Sequence, residues 1–533
     1  MNATASTWQS GWTNLSRSWA KVSTAQLTFA LALIAVAVRL LGLGARPLWL
    51  DEAYSAWFSS RGWHELWTSV PRYEPHPPFY YSILKLWRSV FGGDAVALRS
   101  LSVVFAAAAI AVVLAAVREQ EGLEPSGNVR LRVWTAGILA ACAPMLVETG
   151  QEVRPYPLLV LAYSVGILGL LRLMREFRDG GPGTWRSWAI LGGGTELSLW
   201  SHSLGILYGF ALFAALVASQ LSTPAIAGRL KRSAITVGLA LLLYLPCALM
   251  VAARMGDWSS GWLHWQPSML LTLLSLYTFP FESPWIALFG AAAMVVLAKR
   301  AIAAGFVRRW TSDSALVLLW LLPPLLSVTI SATLIPIFLP RTLCATLIPA
   351  YLAMAGAAAR TQSSRERLFV SVALALSLGV CAVDTALRPP LQRWDEVSTY
   401  IAGHVHRADQ VWVYPNDSAL PLAEAERSLG QRYGFRQLPA PYPAVGSKGP
   451  VRAGSPAVVS LTRQRAYAVA RDPALAGVPT IWLVTRQSPI FDPDGDLPSA
   501  LGAVRTAGDQ KSWDEITVQP YRLARAETAT HPG

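Results

Sequence analysis

The chain has 533 residues, of which 53% are hydrophobic and only 14% are charged, and its mean hydropathy is +0.37. Soluble proteins contain about 25% charged residues, so this composition excludes an ordinary soluble protein and indicates one that crosses a membrane several times. The excess of 45 Lys and Arg over 32 Asp and Glu does not require nucleic acid, because basic residues of membrane proteins gather in cytoplasmic loops. We therefore expect the lipid bilayer as a partner and no nucleic acid.

A transmembrane helix needs roughly 20 mainly apolar residues, and eleven stretches of the chain meet this requirement. In chain order they are 25–44, 95–117, 131–149, 155–174, 185–201, 203–220, 233–253, 284–303, 314–334, 341–359 and 367–387. The cysteines lie inside apolar runs, where small core residues are expected: Cys142, Cys247, Cys344 and Cys381. The sequence thus predicts a polytopic α-helical membrane protein with about 11 transmembrane helices.

The distribution of basic residues predicts how these helices are oriented. The loops at 118–132, 172–186, 229–232, 299–309 and 360–367 each carry several Lys or Arg residues, whereas the short turns between them carry at most one. Because basic loops stay in the cytoplasm, we expect the N-terminus inside and the outer loop 45–94 outside. The tail would then also lie outside, which divides the chain into a membrane region, 1–387, and an extracytoplasmic domain, 388–533.

The tail differs in composition from the rest of the chain, with charges, prolines and short apolar runs. The spacing of Trp394, Val397, Ile401 and Val405 predicts an amphipathic helix. Short apolar runs predict buried strands at 411–414, 457–461 and 480–484. Alternating helices and strands are typical of a small α/β domain.

Acidic residues and a histidine are concentrated in the outer loop. Asp51 and Glu52 follow the first apolar span, and Glu74 and His76 lie among prolines that restrict the backbone. Pro-Pro at 77–78 predicts the start of an amphipathic helix over 79–91 in the membrane interface. Solvated loop acids and a rigid helix start would explain these residues without function. The functional alternative is a general base with an orienting neighbour, beside a hydrogen-bond donor or a partial metal site that Asp51 or His202 would complete.

Several cations occur at the predicted outer ends of spans, where positive charge is usually scarce. These outer positions comprise Arg99, Arg154 with its neighbours Gln151 and Tyr156, His202, and Arg341. Snorkelling to lipid head groups explains any single one, but several on one face indicate a bound anion. A phosphate carried by a lipid would fit, because guanidinium groups complement phosphate oxygens.

Three motifs occur in a fixed order along the membrane region: LWLDEAYS at 48–55, EPHPPFYY at 74–81 and QEVRPY at 151–156. Together they resemble the family 39 and 83 type of GT-C glycosyltransferases, which includes protein O-mannosyltransferases and the lipid A aminoarabinose transferase. The run WDEV at 394–397 also looks like the start of the extracytoplasmic domain in bacterial members. The resemblance covers the layout of the whole membrane region and implies a GT-C fold in the bacterial plasma membrane.

The resemblance implies an inverting transfer of a sugar from a polyprenyl-phosphate donor to a glycolipid, polysaccharide or protein acceptor on the outer face. Asp51 would be the catalytic base, and Glu52 would orient the acceptor or Asp51. Glu74 and His76 would line the same cleft, and the donor phosphate would be held by residues among Lys85, Arg99, Arg154, His202 and Arg341. A polyprenyl phosphate leaves as an anion, so electrostatic stabilisation could replace an acid catalyst. No cofactor is then required, and a divalent metal is left open.

A transporter or flippase of lipid-linked sugars is the alternative function, because it would use the same basic cleft without cleaving a bond. Transporters often have broken helices near the bilayer midplane and inverted repeats. Here the charged residues gather at one predicted face and the sequence shows no internal repeat, which favours the enzyme.

Overall fold

The structure, a computed structural model, describes residues 23–224, 227–253, 265–277, 284–450 and 455–523. Residues 1–22, predicted to lie in the cytoplasm, are outside this description. The membrane region is a bundle of helices: α1 (Thr24–Leu40), α2 (Leu50–Ser60), α3 (Trp63–Thr68), α4 (Phe79–Phe91), α5 (Ala95–Leu123), α6 (Val129–Cys142), α7 (Pro144–Thr149), α8 (Tyr156–Arg178), α9 (Trp185–Ser201), α10 (Gly205–Leu221), α11 (Ala227–Ala252), α12 (Pro284–Gly305), α13 (Ser312–Thr333), α14 (Leu347–Ala359) and α15 (Ser364–Ala386).

Helices occupy all the stretches predicted to span the membrane. Within the described residues, seven helices are long and apolar enough to cross it, and α1 and α10 are apolar but shorter. The chain is therefore a polytopic helical membrane protein, as predicted, while the number of eleven crossings remains a prediction. The predicted span 131–149 is divided into α6 and α7, because Pro144 has no backbone N–H with which to continue the helix.

A buried arginine holds the break between α6 and α7. Arg39 in α1 is only 2% exposed, and its guanidinium donates to the carbonyl oxygens of Ala141 at 2.8 Å and Leu146 at 3.0 Å. Carbonyl groups at a helix end lack intrahelical partners, so this cation satisfies the Ala141 carbonyl at the end of α6. The contact fixes the start of the segment that leads to Arg154.

The outer loop folds into α2, α3 and α4. Asp51 and Glu52 lie in the first turn of α2, where the helix dipole favours carboxylates. The helix predicted over 79–91 is confirmed as α4. The apolar face of this helix does not lie in the membrane interface along its whole length. Tyr80 and Leu84 are fully buried in the protein, while Phe91 exposes 55% of its surface.

The described residues of the tail form five α-helices and a mixed sheet. The helices are α16 (Trp394–His404), α17 (Ala419–Ser428), α18 (Arg463–Ala470), α19 (Ser488–Phe491) and α20 (Asp496–Gly502), and the strands are β1 (Gln410–Tyr414), β2 (Arg436–Gln437), β3 (Thr480–Arg486), β4 (Thr506–Ala507), β5 (Lys511–Trp513) and β6 (Ile516–Arg522). The strand order is β2–β1–β3–β6–β4, with β5 paired to β6. β1 runs parallel to β2 and β3, and β6 runs antiparallel to β3. The predicted small α/β domain is confirmed.

The individual elements of the tail were predicted with mixed success. The helix beginning at Trp394 and the strands at 411–414 and 480–484 are confirmed. The predicted strand at 457–461 is wrong: this segment is buried but does not form a regular strand. Its apolar residues pack into the core beside a turn. An apolar run alone does not distinguish a buried strand from a buried irregular segment.

The tail and the outer loop share one hydrophobic core. Its fully buried members include Phe58 and Tyr80 of the outer loop and Trp412 and Leu483 of the sheet. α15 ends at Ala386 and β1 begins at Gln410, so the boundary predicted at 387–388 falls in the connection between bundle and sheet. Because the tail packs on the outer loop, the two parts enclose the space above α2.

Candidate active site

A cavity of about 700 Å³ lies between the ends of the bundle helices and the tail. It is lined by seven of the residues predicted from the sequence: Asp51, Glu74, His76, Arg154, Tyr156, His202 and Arg341. They come from the outer loop, the segment before α8, the turn between α9 and α10, and the segment before α14. The turns that the charge distribution assigned to one side of the membrane therefore meet at one cavity.

The Asp51 carboxylate lies between two arginines. Its Oδ2 accepts a hydrogen bond from Arg341 Nη2 at 3.1 Å and is 3.7 Å from Arg154 Nη2. Burial by itself would raise the pKa of this carboxyl, but the charges of Arg154 and Arg341 outweigh burial and hold its pKa below the ordinary value. Asp51 is thus an anion at neutral pH, with two guanidinium groups directed into the same space.

Two neutral histidines form the wall beside Arg154. The rings of His76 and His202 are in contact, with their centroids 4.2 Å apart and their planes tilted by 46°, and His76 Nε2 is 3.4 Å from Arg154 Nη2. Burial and the nearby positive charges lower the pKa of His202 to about 3, and burial with the neighbouring His202 lowers that of His76. Uncharged imidazoles can hydrogen-bond to a ligand without adding charge to the cavity.

Glu74 titrates close to neutral pH. Its Oε1 accepts hydrogen bonds from the Tyr81 hydroxyl at 2.9 Å and from the backbone N–H of His76 at 3.3 Å. Burial raises the pKa of Glu74 to about 7, although Arg154 opposes this shift. The Glu74 carboxyl can therefore be neutral or charged at physiological pH, in the cavity that it shares with Asp51.

Solved structures similar to this chain identify its fold. ArnT from Cupriavidus metallidurans in the apo state has a TM-score of 0.56 at 14% identity, over 92% of this chain and 97% of that one. The same protein bound to undecaprenyl phosphate gives 0.57 at 13% identity, over 96% and 100%. ArnT and the arabinofuranosyltransferase AftD, which is also similar to this chain, are GT-C glycosyltransferases. This chain has a GT-C fold.

A third solved structure also has this fold. AftD from Mycobacteria is similar with a TM-score of 0.53 at 15% identity, over 95% of this chain and 40% of AftD. No protein-family profile matches the chain, and no curated protein sequence is similar to it. The resemblance inferred from three short motifs is thus confirmed at the level of the fold.

The other four predicted site residues lie outside the cavity of this GT-C fold. Glu52 is fully buried, and its carboxylate pairs with the Arg99 guanidinium at 2.6 Å and accepts from the backbone N–H of Val153 at 3.0 Å. Gln151 bridges backbone and side-chain groups of the bundle, donating to the Leu41 carbonyl at 2.6 Å. Lys85 donates to the Arg61 carbonyl at 2.7 Å. Their catalytic or binding roles stay predictions, whereas their contacts are those of structural residues.

Charged cavity residues that the sequence did not predict include several from the tail. Asp417 follows the end of β1. Arg486 is the last residue of the neighbouring parallel strand β3, and Gln487 comes directly after it. The carboxyl ends of parallel strands are a common place for ligand sites, and this rule predicts a site at the ends of β1 and β3. Applying it required knowing that β1 and β3 are adjacent and face the outer loop.

Two further acids also line the cavity: Glu148, near the end of α7, and Glu152, between α7 and α8. Burial and the neighbouring Glu148 raise the pKa of Glu152 to about 8, against the charge of Arg388. Within the described ranges, no group of three or more His, Cys, Asp or Glu side chains is arranged to hold a metal ion. Glu74 and His76 remain the partial set that the sequence indicated.

Proposed function

We propose that this chain is an inverting glycosyltransferase that moves a sugar from a polyprenyl-phosphate donor to an acceptor on the outer face of the bacterial plasma membrane. The observation that carries the proposal is the Asp51 carboxylate held between Arg154 and Arg341 in a cavity at one end of the bundle. The GT-C fold supports it, since the similar ArnT has been solved with undecaprenyl phosphate. The acceptor class, glycolipid, polysaccharide or protein, follows from the resemblance.

The proposed reaction assigns one task to each charged group. The acceptor oxygen forms a bond to the anomeric carbon while the bond from that carbon to the phosphate oxygen breaks on the opposite face. Asp51 takes the acceptor proton as general base. The polyprenyl phosphate leaves as an anion, and Arg154 and Arg341 stabilise its growing charge. No further cofactor is needed for this balance of atoms.

Donor binding would also activate the base. In the free protein the two arginines lower the pKa of Asp51, which makes the carboxylate a weak base. A donor phosphate would compete with Asp51 for the same guanidinium groups, because both are anions within reach of Arg154 and Arg341. The pKa of Asp51 would then rise when the donor is bound, so that the base gains strength with the leaving group in place.

The lipid part of the donor has a suitable route to the site. The cavity is also lined by apolar residues from the ends of the bundle helices, Met145, Leu204, Ile337 and Leu339. Apolar walls at this position suit a prenyl chain that reaches the arginines from the bilayer. The charge distribution supports an outward-facing site, because the basic loops belong to the opposite ends of the helices.

Reconstituted protein tests the proposal directly. Purified wild type in liposomes is given undecaprenyl phosphate carrying hexoses or pentoses, together with a glycolipid, polysaccharide and protein fraction of the envelope as acceptors. We expect the release of undecaprenyl phosphate and transfer of one sugar with inverted configuration, both lost in Arg154→Gln. Movement of intact donor across the bilayer without cleavage would instead establish the transporter alternative and refute the transferase.

A further inference from the structure

Asp417, a residue of the tail that lines the cavity, has one carboxylate oxygen without a hydrogen-bond partner among the described residues. Asp417 and Arg486 form an ion pair at 3.1 Å, with 2% and 3% of their side chains exposed. The Tyr54 hydroxyl donates to the same Oδ2 of Asp417 at 2.7 Å. The other oxygen, Oδ1, is buried and accepts no hydrogen bond from any residue that the structure describes. A buried charged acceptor without a partner is costly, so a bound ligand is the natural source of its donor.

Asp417 shares the cavity with the proposed reaction centre. Asp417 and Asp51 both line it, and Tyr54, whose hydroxyl contacts Asp417, follows Asp51 by three residues in α2. Positions three apart in a helix are neighbours on one face, roughly 5–6 Å between their Cβ atoms. A group bound at Asp417 would therefore lie in the cavity that also holds the atoms on which Asp51 acts.

The carboxylate is fixed before any ligand binds. Arg486 donates from Nε to Ser418 Oγ at 3.2 Å and from Nη1 to Gln487 Oε1 at 2.6 Å. Gln487 is held in turn by Glu515 at 2.6 Å. A charged group held in place by such a network selects ligands by geometry.

Aromatic rings complete the surroundings of Asp417. Tyr54 and Tyr442 lie with their ring centroids 5.4 Å apart, and Trp49 and Tyr73 line the same cavity. Apolar ring faces beside a few fixed acceptors match a molecule that has C–H faces and a rim of hydroxyl groups. We propose that Asp417 Oδ1 is a sugar-binding subsite, accepting a hydrogen bond from a hydroxyl of a sugar ring beside the reaction centre. This subsite rests on the proposed transferase function and adds to it a role for the tail.

Binding measurements on the full-length protein in nanodiscs test the subsite. Undecaprenyl phosphate is compared with undecaprenyl phosphate carrying a hexose or pentose, for wild type and Asp417→Asn. If the hydroxyl belongs to the donor sugar, Asp417→Asn weakens binding of the sugar-bearing lipid about five-fold or more and leaves that of undecaprenyl phosphate unchanged. If it belongs to the acceptor, both affinities stay and the KM for the glycan acceptor rises about five-fold or more at unchanged kcat.

Matched controls separate the subsite from a structural role. Asp409→Asn removes another acid of the tail whose side chain is only 4% exposed, away from the cavity, and should behave as wild type. Asp417→Glu keeps the charge but moves the carboxylate, so it serves as a second variant if Asp417→Asn does not fold, with the same losses expected. Unchanged donor affinity and unchanged acceptor KM, or a loss of affinity for undecaprenyl phosphate itself, would overturn the subsite. Donor binding without any transfer by wild type would refute the proposed transferase function. The affinities for undecaprenyl phosphate with and without the sugar would still test the role of Asp417.

Discussion

At Asp51 the same two arginines have opposite effects on the proposed base and on the proposed leaving group. Their charges keep the carboxylate ionised and ready to accept a proton, but they also lower its pKa and hence its basicity. The free site therefore favours the resting anion over proton transfer. We expect the chemistry to begin only when a phosphate takes over part of the arginine charge.

Glu74 gives the site a measurable dependence on pH. Its pKa of about 7 means that it is neutral below this pH and carries a negative charge above it. That charge would repel an anionic donor held by Arg154. We expect the affinity for a sugar-bearing lipid phosphodiester, whose own charge is constant, to fall about five-fold between about pH 6 and about pH 8.

The variant Glu74→Gln is the control for this prediction. It keeps a hydrogen-bonding side chain beside Tyr81 but cannot ionise, so its affinity should fall less than that of wild type over the same range, in which Glu152 also begins to ionise. Equal pH profiles for wild type and Glu74→Gln would show that another group controls donor binding. Isothermal titration in nanodiscs measures both profiles.

The sequence predicted those site residues whose position depends on local structure. Asp51, His76 and Arg154 stand in short motifs that also fix a helix start or a turn, so their neighbourhood was readable from the chain. Glu52 has the same chemistry as Asp51 and the same motif, yet it points elsewhere because successive residues in a helix are rotated by about 100°. Its side chain reaches Arg99 instead of the cavity. Burial decides between two such acids, and burial depends on contacts that are distant in sequence.

At the scale of elements, the Glu52–Arg99 pair joins three parts of the fold. It connects α2 to α5, and Glu52 also accepts from the backbone N–H of Val153, which precedes Arg154. Arg99 donates to the Arg46 carbonyl in the connection before α2. This pair thus holds the helix of the proposed base against the segment that supplies one of its arginines.

We expect Arg99→Met to destabilise the protein by about 3–5 kcal/mol, because it leaves the Glu52 carboxylate buried without its partner. The thermal unfolding midpoint in detergent measures this loss. The double variant Glu52→Gln with Arg99→Met should recover part of the stability, since Glu52 no longer carries an unpaired charge while the Arg46 carbonyl still lacks its donor. Recovery of stability and of transfer together would assign a structural role to Glu52. A stable double variant without transfer would instead support the predicted role of Glu52 in orienting the acceptor.

At the scale of the whole molecule, the tail belongs to the site. The sequence predicted its α/β character but not its position, because a hydrophobic core shared between the outer loop and the sheet is formed by residues hundreds of positions apart. Asp417 and Arg486 reach the cavity only through this packing. The division of the chain at 387–388 stays a prediction, and the proposed active site includes residues from both sides of it.

The predicted orientation can be tested on intact cells. The four native cysteines are buried, so an introduced surface cysteine should dominate labelling by a membrane-impermeant maleimide. We expect Arg432→Cys, at an exposed position of the tail, to react from outside. Arg118→Cys, at an exposed position near the other end of α5, should react only after permeabilisation. The reverse pattern would place the cavity in the cytoplasm and contradict the outward-facing site.

Single-turnover transfer by Asp51→Asn tests the central claim most directly, because this change removes the base and keeps the size of the side chain. We predict that the variant inserts, unfolds at a temperature close to that of wild type and still binds undecaprenyl phosphate, with transfer from the sugar-bearing lipid reduced by about a thousand-fold or more. Transfer by Asp51→Asn at the rate of wild type, with the donor bound equally well, would contradict the assignment of Asp51 as the catalytic base.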